Sequence, residues 1–229
     1  MTHLSLRLET IASLVPLGAR VCDVGTDHGL LPIYLKQKGI AKSVIATDLN
    51  EKPLENARKN ISSSGITDIS LRLCDGLSGV SQNEADTVII AGMGGEVIVH
   101  ILKNCEWIKN ESLHLILQPT TSAEVLREFL TQSGFEIMSE TPVSENKKLY
   151  SVMTAKFTNA EYTYPEHFYF IGKIPLNAEG VLYIKKQQKR LFECMNALEN
   201  IENKRKESEK YKFLCEQIEK LLTENKNGT

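Results

Sequence analysis

Apolar positions in the first two-thirds of the chain fall into short runs separated by amphipathic stretches. Arg20 to Val24, Ser43 to Thr47, Ile69 to Leu73, Thr87 to Ala91 and Leu113 to Leu117 are brief β-prone runs, and between them apolar residues recur at three- and four-residue spacing. A leading helix carries Leu4, Leu6, Leu8, Ile11, Leu14 and Val15 and ends before Pro16-Leu17-Gly18. Further helices are predicted through Leu30, Ile33, Tyr34 and Leu35 with Gly39 at the C-terminal end, and from Lys52 to Ser64 with Gly65 as the stop. Another runs through Val97, Ile98, Ile101 and Leu102, and the last through Val125, Leu126, Phe129 and Leu130, with Ser122 as N-cap and Gly134 as stop. Strand and helix alternating in this way predict a doubly wound, mostly parallel α/β sheet. Phe135 to Glu140 and Leu149 to Phe157 pair as a terminal antiparallel hairpin, although spacing alone permits other strand orders.

The pattern changes at Thr158. An aromatic segment, Tyr162 to Phe170, leads into helical sequence without strand alternation, which divides the chain into residues 1–158 and a helical region, residues 159–229. Ile184, Leu191, Leu198 and Ile201 fall on heptad seam positions, as do Tyr211, Leu214, Ile218 and Leu221, so two helices can pack as an antiparallel coiled-coil pair. No proline or glycine marks a turn near Lys204-Arg205-Lys206, which leaves one long helix as the alternative. Glu224 to Thr229 is expected to fray.

Composition narrows the classes. The 229 residues, 41% of them hydrophobic and 24% charged, suffice for one sizeable core and a smaller appendage. Five scattered cysteines, Cys22, Cys74, Cys105, Cys194 and Cys215, lack paired metal-ligand spacing. They fit a reducing compartment, and the expectation is a cytoplasmic protein. No apolar run approaches the roughly 20 residues needed to cross a bilayer, and Met1 to Arg7 lacks a signal peptide's apolar core. A net charge of −2 means that a nucleic-acid partner would be held by local patches. His3, His100, His114 and His167 show no ligand spacing, and no metal is expected.

The candidate chemistry lies at the strand ends. Asp23-Val24-Gly25-Thr26-Asp27-His28-Gly29 follows the first strand, and Asp48 and Asp75 close the second and third. In an open parallel sheet these ends line one crevice, and a glycine turn lets the backbone approach a ligand there. The trio reads as a pocket for S-adenosylmethionine (SAM). Asp48 suits the ribose hydroxyls; Asp75, an acceptor when ionised, suits adenine's exocyclic amine. The turn lacks G-x-G-x-x-G, so a nucleoside fits better than a dinucleotide. Several alternatives stay open: Asp23 can satisfy backbone N–H groups or reach the methionyl amine, Asp48 can cap the next helix, and Asp75 can serve the tight turn beside Gly76.

Five signatures give the chain a resemblance to the bacterial tRNA (adenine-N1)-methyltransferases that modify adenine 22. They are Leu4-Ser5-Leu6-Arg7-Leu8, Asp23 to His28, Asp75-Gly76-Leu77, Ile90-Ala91-Gly92-Met93-Gly94-Gly95 and Leu117-Gln118-Pro119. The resemblance implies a Rossmann-like methyltransferase sheet with an edge hairpin and a C-terminal coiled-coil domain. It further implies SAM as cofactor and tRNA as partner, with no membrane association. The oligomeric state stays open, with a monomer slightly favoured. Cofactor contacts are expected from Asp23, Gly25, Thr26, His28, Asp48, Leu49, Cys74, Asp75, Gly76 and Gly92. Cys74 stands where the family pattern leads one to expect glycine, which bears on the fit of the adenine pocket.

Asp27 is the expected catalytic residue, because methylation of a neutral ring nitrogen develops positive charge that a nearby carboxylate stabilises. It can also accept the proton lost from the methylated adenine. His28 reads first as a helix-start or cofactor-touching residue. Arg7, Met93, Gly94 and Gly95 are the expected substrate-binding residues: small residues after the fourth strand leave room for a flat base. Met93 as packing and Arg7 as a solvated helix residue are the alternatives. Lys185, Lys186, Lys189, Arg190, Lys204, Arg205 and Lys206, interleaved with glutamates, form either an exposed coil face or an arm that holds tRNA. Two other functions remain in view, a SAM enzyme acting on another acceptor and a non-catalytic RNA-binding protein of the same fold.

Overall fold

In the computed structural model, which describes residues 2–227 without the side chains at 202 and 225–227, one seven-stranded sheet organises the molecule. Its strands are β1 (Ala19–Val24), β2 (Ala41–Asp48), β3 (Ile69–Leu73), β4 (Thr87–Gly94), β5 (His114–Thr121), β6 (Phe135–Glu145) and β7 (Lys148–Phe157). The helices are α1 (Leu6–Ser13), α2 (Leu30–Gln37), α3 (Glu51–Ser64), α4 (Gly95–Lys103), α5 (Ala123–Gln132), α6 (Glu166–Ile171), α7 (Ala178–Leu198) and α8 (Arg205–Asn227). Strand order is β3-β2-β1-β4-β5-β7-β6. The first five strands are parallel, β7 runs antiparallel to β5, and β6 antiparallel to β7.

Period-two alternation explains why the central strands read as unbroken apolar runs. Val88 and Ile90 of β4 and Leu115 and Leu117 of β5 enter one core with Ile98 and Leu102 of α4 and Leu126 and Leu130 of α5. Ile89 and Ile116 enter the other, with Ile11 of α1 and Leu31 and Leu35 of α2. Both sheet faces are therefore covered, as a parallel sheet requires. The strand order reverses between β1 and β4, and that switch point opens the crevice at the strand C-termini.

Several boundaries depart from the sequence expectation. β4 runs on through Gly92 and Gly94, with register shifts against β5 between Ala91 and Gly94, so the glycine segment is irregular strand and only Gly95 opens α4. β6 reaches Glu145 rather than Glu140, and Asn146 and Lys147 (φ 50° and 63°) close a two-residue hairpin turn. Ser122 occupies the N-cap position of α5, yet it is left-handed (φ 51°) and its side chain makes no capping hydrogen bond. An N-cap side chain normally reaches the first-turn N–H groups from an extended backbone, which Ser122 does not have.

After Phe157 the described chain contains only helices and connections. Residues 199–204 break it, so the single-long-helix alternative fails, and α7 and α8 return on each other: Ser208 Oγ donates to Met195 O (3.1 Å), and Gln188 Nε2 to Cys215 O (3.2 Å). Tyr183, Ile184, Leu191, Leu214 and Ile218 form the seam. Ile201 lies outside both helices and is exposed, while Leu221 is half-buried against the seam and its neighbour Leu222 is buried in it. The expected fraying over Glu224 to Thr229 falls mostly on positions 225–229, outside what the structure fully describes.

The helical pair is tied to the sheet through a buried ion pair. Arg127 of α5 and Glu140 of β6 have fully buried side chains and meet at 2.8 Å. Arg127 also donates to Tyr169 O, Phe170 O and Tyr183 Oη, while Ser151 Oγ and the Lys173 N–H donate to Glu140. Burial alone would lower the Arg127 pKa; Glu140, with help from Tyr183, reverses that and keeps the guanidinium charged. Gly172 (φ 74°) passes so close that a Cβ would lie 2.2 Å from Glu140 Oε1.

Candidate active site

Three successive strand ends build the site. The turn after β1 alternates left-handed residues, Gly25 (φ 75°), Asp27 (φ 52°) and Gly29 (φ 67°). Glycine takes that conformation freely, and aspartate is among the few other residues that tolerate it. The turn is pinned to β2, where Thr47 O accepts from the N–H groups of Gly25 (2.8 Å) and Thr26 (3.0 Å). Thr47 Oγ1 in turn donates to Gly76 O (3.0 Å), and Asn60 Nδ2 to His28 O (2.8 Å). Backbone bonds thus fix the relative heights of the first three strand ends.

A cavity of about 260 Å³ opens above this turn, lined by Arg7, Asp23, Gly25, Thr26, Asp27, His28 and Gly92, with Leu8, Leu30, Leu31 and Ala91 as its apolar wall. Asp23 is buried at its floor. Desolvation raises its pKa from 3.8 to about 6, helped by the charge of Asp48. Thr26 Oγ1 faces the carboxylate and offsets part of that rise, but the pair misses hydrogen-bond geometry. Thr26 Oγ1 is therefore the buried side-chain polar atom left unpartnered among the described residues. A buried carboxylate and an orphaned hydroxyl at one floor call for a ligand that brings a cation and a hydrogen-bond partner. The amino acid end of SAM has that chemistry, so the residues fit the cofactor.

Asp27 and His28 stand at the mouth, both exposed, with His28 Nε2 3.6 Å from Asp27 Oδ2. Asp48 is half-buried at the end of β2, where its Oδ1 accepts from the Asn50 N–H (2.9 Å). Leu49 and Asp75 are exposed beside it. Asp48, Leu49, Cys74, Asp75 and Gly76 are not among the residues that line the cavity. The Cys74 N–H donates to Asp48 O (3.0 Å), and Cys74 Sγ packs inward toward Gly79 and Gly76 O. Gly76 must remain bare, since a Cβ there would meet Ile101 Cγ2 at 2.8 Å.

Of the four residues expected to bind substrate, the structure brings only Arg7 to the cavity. Met93 packs beneath the cofactor turn, with Cε 2.1 Å from where a Gly25 Cβ would be. Gly94 and Gly95 face the β5–α5 turn, where a Cβ on Gly95 would lie 2.1 Å from Ser122 O. Gln118 carries a larger share of the site than sequence reasoning assigned it. Fully buried, its Oε1 accepts from Arg7 Nη1 (2.7 Å) and the Gly92 N–H (3.1 Å), while its Nε2 donates to Pro119 O (2.8 Å). Glu145 accepts from Arg7 Nε (3.2 Å), and Tyr150 lies beneath the guanidinium at 5.9 Å. A buried glutamine after an apolar strand, just before proline, was the available signal; Glu145 and Tyr150 left none, because the hairpin register alone brings them to Arg7.

Residues 4–153 match a methyltransferase-domain family. The tRNA (adenine(22)-N(1))-methyltransferase of Bacillus subtilis is 30% identical over 226 residues, covering 95% of each chain. This chain belongs to that family. The crystal structure of the B. subtilis m1A22 tRNA methyltransferase matches it with a TM-score of 0.81 and 29% identity, covering 98% of this chain and 99% of that one. A Streptococcus pneumoniae relative in complex with S-adenosyl-L-methionine matches with a TM-score of 0.82 and 30% identity, covering 96% of this chain and all of that one. The family membership accounts for a site built for a nucleoside rather than a dinucleotide. No helix among the described residues is long and apolar enough to cross a membrane, and the described residues hold no candidate metal cluster.

Proposed function

We propose that this protein methylates N1 of adenine 22 in tRNA with SAM as methyl donor, residues 1–158 carrying the transfer and residues 159–229 holding the RNA. The observation that carries the reading is the division of carboxylates at one glycine turn: Asp23 sealed at the floor and Asp27 exposed at the mouth. A buried carboxylate suits a cationic cofactor group, and an exposed one suits an incoming base.

SAM supplies an electrophilic methyl group on a sulfonium. Asp23 holds the methionyl amine, Thr26 takes the hydrogen bond that it lacks within the protein, and Gly25 and Gly92 leave room for backbone approach. Asp48 accepts from the ribose hydroxyls, Asp75 accepts from the adenine amine, and Leu49, Cys74 and Gly76 line the adenine edge. Asp27 lies where the target base enters. As N1 forms its bond to the methyl carbon, the carbon–sulfur bond would break with its electron pair going to sulfur, leaving a neutral thioether; the ring gains the positive charge, which the Asp27 carboxylate stabilises, and the same group can take the proton lost from the exocyclic amine. His28 borders Asp27 and completes the mouth. Arg7, through Gln118, fixes the Gly92 turn against which the base lies. One chain supplies every one of these groups, which favours a monomer and leaves the oligomeric state open.

A target adenine stacked in the tRNA core must be extruded, at a cost of a few kcal/mol recovered from contacts elsewhere. Incubation with labelled SAM and unmodified tRNA, followed by digestion to nucleosides, tests the reading. The expected product is 1-methyladenosine at position 22. A methylated protein or small molecule instead, or a short single strand methylated as fast as intact tRNA, would refute it.

A further inference from the structure

The basic residues of the helical pair are not equivalent. Toward its free end Lys204 is answered by Glu207 (2.8 Å) and Arg205 by Glu209 (3.2 Å). The open groove on that part of the pair is lined by Glu199, Glu209, Glu216 and Glu219, which outnumber the cations Arg205 and Lys212 beside them. Such a surface repels a polyphosphate. At the root of the pair the balance is opposite. A groove of about 220 Å³ runs between the β5–α5 turn, the start of β7 and α7, and its lining includes Lys186, Arg190 and the hydroxyl residues Thr120, Thr121 and Ser122 but no carboxylate residue.

Lys186 donates to Leu149 O (2.8 Å) and remains exposed. Its pKa is lowered by partial desolvation and then by the like charges of Arg190 and Lys148, so three cations crowd one spot. Arg190 pairs with Glu124 (2.9 Å), which lies outside the groove lining. The groove adjoins the active site, because Thr121 and Ser122 pack directly on Gly94 and Gly95 of the turn that follows Gly92. Pro119, also in its lining, follows the buried Gln118. We infer that this groove is a binding site for phosphodiester groups of the RNA backbone next to the target nucleotide, with Lys186 and Arg190 as its cations. The RNA then crosses the root of the helical pair and does not run out along its tip. The inference rests on tRNA being the substrate.

The test measures steady-state kinetics and equilibrium binding with an unmodified tRNA transcript at several salt concentrations. The double variant Lys186→Gln, Arg190→Gln should raise the KM for tRNA at least tenfold, with kcat and the Kd for SAM within about twofold. Its salt slope should fall by roughly 1.5, the loss of two phosphate contacts. The tip variant Lys204→Gln, Arg205→Gln, Lys206→Gln should stay within twofold of wild type. Glu124→Gln breaks the Arg190 ion pair while keeping the cation; tRNA binding at or above the wild-type level supports the site. A loss there equal to that of the double variant would reduce Arg190 to an anchor for the arm and overturn the assignment. Inorganic phosphate added at constant ionic strength should leave tRNA affinity within twofold; competitive loss would make the groove a site for a free anion and overturn it. Root variants that bind like wild type while the tip variant weakens would also overturn it. Wild-type protein that methylates no tRNA would refute the function itself, a separate result.

Discussion

Replacing Asp23 by asparagine should stabilise the cofactor-free protein and weaken its hold on SAM. Burial lifts the Asp23 pKa from 3.8 to about 6, which means that the folded protein binds this proton more tightly than the unfolded chain does. Below the unfolded value both states are protonated and the site costs nothing. Between about 4 and 6 the unfolded chain ionises while the folded one does not, and the cost grows by about 1.4 kcal/mol per pH unit. Above 6 it levels off at about 3 kcal/mol, so stability is lost as pH rises through this window. Asparagine keeps the shape without the charge. Asp23→Asn should therefore gain up to about 3 kcal/mol at pH 7.5, a Tm increase of roughly 6 to 12 °C for a chain of this size, and little at pH 4. The same change removes a charge-assisted hydrogen bond to the methionyl amine, worth about 1.5–3 kcal/mol, or roughly 10- to 150-fold in SAM affinity. Urea unfolding at both pH values, with calorimetric titration of SAM, checks both halves. A variant destabilised at pH 7.5 and unchanged in SAM affinity would refute the assignment of Asp23 as a strained carboxylate waiting for a cation.

Asp27→Ala should reduce kcat by roughly 10²- to 10⁴-fold while SAM binding stays near wild type, since the side chain sits at the mouth and not at the floor; single-turnover assays with tRNA read this directly. Glu140→Gln leaves Arg127 charged and buried without its counter-ion and should cost about 3–5 kcal/mol of stability by denaturant titration. Gly76→Ala forces a Cβ against Ile101 at a left-handed position and should lower stability by about 1–3 kcal/mol, visible as a reduced Tm. Gln118→Leu strips the shared acceptor from Arg7 and the Gly92 N–H. It should lower kcat for tRNA more than it raises the Kd for SAM, measured on the same preparation.

Sequence alone determined the elements whose cause is local. The β1, β2, β4 and β5 runs read correctly because both sheet faces are covered there, so each strand is largely apolar; β3, at the sheet edge, is partly exposed and carries Ser70 and Arg72. The cofactor turn was legible for the same reason: a left-handed Gly25 and Gly29 and a carboxylate at a strand end are local requirements. The seam of α7 and α8 was readable as far as Leu191 and Ile218, and failed at Ile201 because a heptad count carries no information about where a chain without glycine or proline turns. Tertiary structure decided the rest. Glu145 and Tyr150 reach Arg7 only through the register of a hairpin more than 130 residues downstream of it. Glu140 is buried only because Arg127, Ser151 and the Lys173 N–H meet it in the folded chain. The packing of Met93 and Gly95 against Gly25 and the β5–α5 turn appears only in three dimensions, because β4 continues past Ala91 and presses that segment there. Lys186 and Arg190 are indistinguishable from Lys204 and Arg205 along the chain. Only the docking of α7 on the sheet places the first pair in a groove whose lining holds no carboxylate, with Arg190 reaching Glu124 outside it, whereas the second pair meets glutamates three and four residues along its own chain.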